Sequence, residues 1–188
     1  MLFRGTKLHL ALGLLLAASS ISGCPHQTIA PKSPEAVAPH LKPGRVYEPR
    51  ESFSILPPAG YHSEGQSQWH FMKFLGPCEG DFTVNFNVRG QDDDGTAIED
   101  AGPKAKGVLD LFLRKYKRVE EGFTHIGTRT VYYSCGTFEW DGKTIKNLQY
   151  FIRGGNGRVY VITFASPIES FPQHRPVFEK TAKSVLIQ

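Results

Sequence analysis

Cysteine, methionine and tryptophan are scarce, at three, two and two residues of 188. There is no C-x-x-C pair, and the histidines beyond residue 50 (His62, His70, His125 and His174) never stand two or four apart, so no ready-made zinc or redox motif is present. No metal or cofactor is expected. The apolar stretch at 8–18 is broken by His9 and Gly13 and is too short for a bilayer, which needs about 20 residues. An excess of one charge is also missing where it would matter. The formal net charge is +4, yet six of the 22 basic and two of the 18 acidic residues fall in 1–50, leaving 51–188 balanced at 16 against 16. A neutral domain lacks the clustered basic surface of a nucleic-acid binder, so no nucleic-acid partner is expected. Hydrophobic residues make up 40% and aromatics 12%, which excludes a wholly disordered chain. The length favours one domain with appended segments.

The appended segments are legible. Residues 1–23 have the form of an export signal, with Arg4 and Lys7 ahead of the apolar stretch. Ile21-Ser22-Gly23-Cys24 resembles the bacterial lipobox; the alternative is an ordinary signal with an incidental cysteine. The resemblance implies that the Cys24 thiol carries diacylglycerol, that the preceding peptide is removed, and that the new amino terminus is acylated, palmitate being the usual chain. Several acyl chains anchor a protein stably where one does not. Pro25, in place of the aspartate typical of inner-membrane retention, points to the outer membrane with the domain facing the periplasm. Residues 24–50 hold six of the thirteen prolines and no apolar period, which describes a lipidated Cys24 followed by an extended tether with a reach of about 80 Å. With Cys24 lipidated, Cys78 and Cys135 remain. In an oxidising compartment a disulfide between them is the expected state, worth about 4 kcal/mol; two buried thiols or a metal pair are the alternatives.

The domain itself is assigned to 51–188. Phe82, Val84, Phe86 and Val88 alternate with Asp81, Thr83, Asn85, Asn87 and Arg89, the pattern of a strand with one buried and one wetted face, which favours an antiparallel sheet. Further strands are expected at 68–75, 124–140 (bent at Gly127 or Gly136), 144–153 and 158–165. Between them stand the turn residues Asp141-Gly142 and Gly154-Gly155-Asn156-Gly157. Apolar stripes at 103–119 and 176–186 predict two helices. The expected fold class is α+β: a central antiparallel sheet of about six strands flanked by helices.

Phe53-Ser54-Ile55-Leu56-Pro57-Pro58-Ala59-Gly60-Tyr61 and the later run Tyr160-Val161-Ile162-Thr163-Phe164-Ala165-Ser166, followed by Phe171, Pro176, Phe178-Glu179-Lys180 and Ser184-Val185, resemble the PsbP/Mog1/DcrB-like superfamily (DUF1795-type domains). The resemblance covers about 130 residues and implies a layered sandwich that acts in binding or assembly. It supplies no catalytic motif and no functional residue.

Local chemistry is sparse. Asp92-Asp93-Asp94-Gly95, with Glu99 and Asp100, carries Ca²⁺-type ligands, but an EF-hand register leaves Gly90 and Ala101 at the terminal ligand positions, so a solvated loop is the simpler reading. Gly60 to Gly65 lacks the first glycine of a nucleophile elbow. Gly154 to Gly157 opens no helix that would bind phosphate. Arg114, Lys115, Lys117 and Arg118 form a basic helix face that either meets an acidic partner or keeps the helix soluble. Trp69 and Trp140, with Tyr61 and Tyr132, are candidate anchors for a partner. The partner-binding candidates are therefore Trp69, Trp140, Arg114, Lys117 and Arg118. The expected function is that of a non-enzymatic, lipid-anchored envelope protein binding or helping to assemble another envelope macromolecule, in contact with the membrane through its anchor. The alternative is a periplasmic small-molecule binder or hydrolase with a pocket between sheet and helix, using His62, His70 or His125.

Overall fold

A computed structural model describes residues 43–100, 104, 109–111 and 113–188. The export signal, Cys24 and most of the tether lie outside the described residues. Among the described residues ten strands form two antiparallel sheets. The small sheet joins β1 (Val46–Glu48), β2 (Phe53–Ile55) and β10 (Leu186–Ile187), with β2 in the middle. The large sheet contains β3 (His62–Ser63), β4 (Met72–Glu79), β5 (Phe82–Asp92), β6 (Lys117–Ile126), β7 (Arg129–Trp140), β8 (Lys143–Arg153) and β9 (Arg158–Pro167), in the order β3-β4-β5-β9-β8-β7-β6. One helix, α1 (Phe171–Lys183), is described in full. Among the described residues no helix is long and apolar enough to cross a membrane.

Val84, Phe86 and Val88 of β5 turn their side chains to the main core. Phe74, Phe86, Phe164, Leu148 and Cys135 stand abreast on β4, β5, β9, β8 and β7, and α1 lies over this first face of the sheet. Phe178 stacks on Phe164 with centroids 4.9 Å apart, and Lys146 Nζ sits 4.7 Å from the centre of the Phe171 ring. The small sheet closes the same core through Phe53 and Ile55, with Phe53 5.1 Å from Tyr160. Turn chemistry follows the sequence: Asp141 and Gly142 both have positive φ, as a tight two-residue hairpin requires.

Several boundaries differ from expectation. Helix α1 begins at Phe171, ahead of Pro176, because Phe171 is buried on the same face as Phe178 two turns later and so extends the 176–186 stripe toward the N-terminus. Residues 124–140 are two strands, with Gly127 at φ 59° in the turn between them. The helix expected at 103–119 cannot reach Val119. Lys115 has left the helical region at φ 54°, and from Lys117 the backbone pairs with β7. Val46–Glu48, assigned to the tether, are a strand of the small sheet.

The Cys78–Cys135 disulfide is not formed. Cys135 is a free, buried thiol, and β4 and β7 are separated by three intervening strands. Four strand spacings of about 4.8 Å put the pair near 19 Å apart, well beyond the roughly 7 Å limit between bridged Cα atoms. Burial raises the Cys135 thiol to about 11.

Candidate functional site

Four of the five partner-binding candidates come to one edge of the large sheet. Glu139 N–H donates to the Arg114 carbonyl at 2.9 Å, so 113–116 runs beside the end of β7, next to Trp140. Lys117 opens β6 opposite Thr137. These basic residues form no helix face: Arg114 and Lys115 both pair with Glu139, and Arg118 pairs with Glu121 at 2.5 Å. Trp69 is elsewhere. It precedes β4, which three strands separate from β7, and lies toward the opposite end of the sheet from Trp140. The edge strand β6 itself was not among the candidates. Within the large sheet it is paired on one side only, and it exposes Val119 (47%) and Phe123 (50%), the latter edge-on to Tyr132 at 5.7 Å. On its inner side, Glu120 receives two hydrogen bonds from Arg175 of α1, at 2.7 and 2.8 Å, which hold its carboxyl below the usual range.

The aspartate loop is occupied by the protein's own cations. Asp92 pairs with Arg158 at 2.7 Å, Asp93 with Arg153 at 2.6 Å, and Asp94 with Lys104. Among the described residues no group of three His, Cys, Asp or Glu side chains could hold a metal. The histidines proposed for a hydrolase are not gathered: His62 lies on β3 and His125 on β6, opposite edges of the sheet. His70 bonds to Ser67, and burial followed by the Lys73 charge lowers its pKa. His174 meets Glu79 at 2.6 Å, and the Ser170 hydroxyl donates to the other Glu79 oxygen. That order places the carboxylate between serine and histidine, so the imidazole has no hydroxyl to deprotonate.

The second face of the large sheet carries the feature that the sequence pattern hides. Lys73, Asn87, Thr163, Gln149, Ser134 and Glu121 stand abreast across β4, β5, β9, β8, β7 and β6, and Glu64 extends the row by pairing with Lys73. Asn85 and Asn147 flank it, two residues along their strands. Although alternation marks these positions as wetted, Asn85 is 2% and Gln149 1% exposed. The connection from β5 to β6 covers this face at two points. Ile98 packs on Tyr132, Phe151 and Val161; Leu113 and Tyr116 pack with Phe82, Phe138, Ile145 and Ala165. Tyr116 lies directly over Gly136, where an added Cβ would come within 2.5 Å of the ring. The polar band runs between these two apolar contacts.

Part of the band is satisfied internally. Asn85 Nδ2 donates to the Thr83 carbonyl at 2.8 Å, Gln149 Nε2 to Thr163 Oγ1 at 3.1 Å, and Gly136 N–H to Asn147 Oδ1 at 3.0 Å. Asn85 Oδ1, Gln149 Oε1 and Arg89 Nη1 are buried without a partner. Arg89 belongs to the same face, opposite Val161, and burial lowers its pKa.

The architecture is a PsbP/Mog1-like α+β fold. Among solved structures, the cyanobacterial PsbP from Synechocystis is 15% identical with a TM-score of 0.60, covering 77% of this chain and 91% of that one. LpqN, involved in cell envelope biogenesis of Mycobacterium tuberculosis, is 11% identical with a TM-score of 0.55, over 78% of this chain and 86% of its own. The Saccharomyces cerevisiae Ran-binding protein Mog1p is 10% identical with a TM-score of 0.55, over 76% and 94%. No protein-family model and no curated protein matches the chain.

Proposed function

We propose that this chain is a non-enzymatic, lipid-anchored protein of the bacterial cell envelope, held at the outer membrane through Cys24, whose domain binds another envelope macromolecule along the β6 edge. The observation that carries the reading is this strand: ten residues long, paired on one side within the large sheet, and presenting Val119 and Phe123, with Lys117 at its start near Trp140 at the end of β7. Exposed edges template the pairing of an extended segment, with side-chain pockets adding specificity. The histidines and carboxylates of the described residues fit no acyl-transfer or metal chemistry, which supports the binding reading. The similar structures include a Ran-binding protein and one involved in envelope biogenesis, and both uses fit a binding scaffold.

The test is site-directed photocrosslinking in intact cells from positions 119 and 123, with Lys183 on α1 as the control. One abundant partner captured at 119 and 123, absent at 183 and lost in Cys24→Ala, is the expected result. Equal capture at all three positions, or capture indifferent to Cys24, overturns it.

A further inference from the structure

The buried polar band on the second face of the large sheet is a site of its own, independent of the β6 edge. We infer that it binds a small hydroxylated carboxylate, the acid group on Arg89 and hydroxyl donors on Asn85 Oδ1 and Gln149 Oε1. Native proteins satisfy nearly all buried polar groups, so an orphaned acceptor inside a fold calls for a donor from outside the chain. Two amide oxygens, one guanidinium nitrogen and the hydroxyls of Ser134 and Tyr116 are left over on a single face. The Asn85 assignment is fixed by its own amide nitrogen, which is committed to the Thr83 carbonyl.

The free groups select the ligand. The two oxygens only accept, and therefore call for hydroxyl or amine donors. Arg89 donates and carries charge. Although it is flanked by Lys73 diagonally across β4 and β5, the Lys73 ammonium is already matched by Glu64, whereas no carboxylate of the described chain meets Arg89. An anion on the guanidinium forms a charge-assisted bond, the stronger kind. Asn85 on β5 and Gln149 on β8 are two strand spacings and two residues of register apart, about 12 Å between backbones, a gap that the two side chains and a six-carbon acid bridge with a hydrogen bond at each end. The flanking apolar contacts at Ile98 and at Leu113 with Tyr116 supply the dry walls typical of small-molecule sites, where a few convergent polar groups set specificity.

The test is calorimetric titration of the full chain with D-glucuronate, with D-glucose and acetate as partial matches and a glucuronate-terminated tetrasaccharide to separate a free acid from the end of a glycan. Glucuronate, alone or on the tetrasaccharide, is expected to bind, with glucose and acetate at least tenfold weaker. Arg89→Met should weaken binding about 10- to 100-fold, the value of a hydrogen bond to a charged group. Gln149→Leu is the second variant, and circular dichroism checks that both remain folded. The inference fails if neither glucuronate nor the tetrasaccharide binds, in which case buried water completes the band. It also fails if a folded Arg89→Met or Gln149→Leu protein binds as wild type does.

Discussion

Leu148 and Gln149 are consecutive residues of β8, each 1% exposed, and they face opposite sides of one sheet. Leu148 enters a core rich in aromatics under α1, where Phe164 and Phe178 lie 4.9 Å apart. Gln149 enters a band of amides and hydroxyls with acceptors left unpaired. The first face obtains its stability from area removed from water and from close packing. Gln149 and Asn85 on the second face are as deeply buried, yet burying a polar group without a partner costs about 1–3 kcal/mol. A sheet that carries most of that cost on its second face, with the Tyr61 hydroxyl unpaired on the first, divides its labour between a face that holds the fold and one proposed to take a ligand.

If that division is right, the largest effects belong to the first face. Phe164→Ala should destabilise by about 3–5 kcal/mol, the range for truncating a buried aromatic, measured by urea denaturation of the full chain. A loss under about 1 kcal/mol would mean that α1 does not close the main core. Cys135, in the same row, should resist alkylation in the native state and react only on unfolding. A thiol raised to about 11 is almost entirely protonated near neutral pH, and burial denies the reagent access. Fast labelling of the native protein would place this position outside the core.

How much of this was legible in the sequence depended on which side a residue faces. Val84, Phe86 and Val88 announced both the strand and its buried side, and Asp141-Gly142 announced the hairpin through residues that tolerate positive φ. Thr83, Asn85 and Asn87 announced a wetted side, and here the pattern misled. Alternation reports polarity, whereas burial depends on what packs on that face, and Ile98, Leu113 and Tyr116 from the connection between β5 and β6 do. The same connection explains the lost helix boundary: Leu113, Tyr116 and Val119 share a helical stripe, yet Lys115 at positive φ and the pairing with β7 end the helix before Val119. The disulfide failed for a related reason, since cysteine count and compartment say nothing of strand order, and three strands separate the pair. Trp140, Arg114, Lys117 and Arg118 were found as residue types; what gathers them is the edge position of β6, which only topology reveals.

Intermediate effects belong to the tie between α1 and the sheet edge. Glu120→Gln should cost about 1 kcal/mol: the Arg175 pair has bidentate geometry, but both side chains are about a third exposed, 33% and 35%, so solvent screens much of the Coulomb gain. Because the folded carboxyl lies below its unfolded value of 4.5, the contribution is complete above that value and fades as pH falls through the folded one. Wild type and Glu120→Gln should therefore differ in stability at pH 7 and converge at strongly acidic pH. A difference that persists undiminished there would assign the effect to packing instead.

The smallest expected change is also the one that most sharpens the contrast between the faces. Gln149→Leu, in the chain without ligand, should leave stability within about 1 kcal/mol of wild type or raise it. The substitution removes an unpaired acceptor and gives up one bond to Thr163 Oγ1, and exchanging an imperfectly satisfied polar group for an apolar one of similar size is often neutral or favourable. Leu148→Gln, one residue earlier, puts the same chemistry into the apolar core and should cost several times more, because both ends of its amide would be desolvated without partners. Comparable losses from the two substitutions in denaturant melts would show that the polar band is as tightly optimised for folding as the aromatic core. It would then have no spare capacity for a ligand.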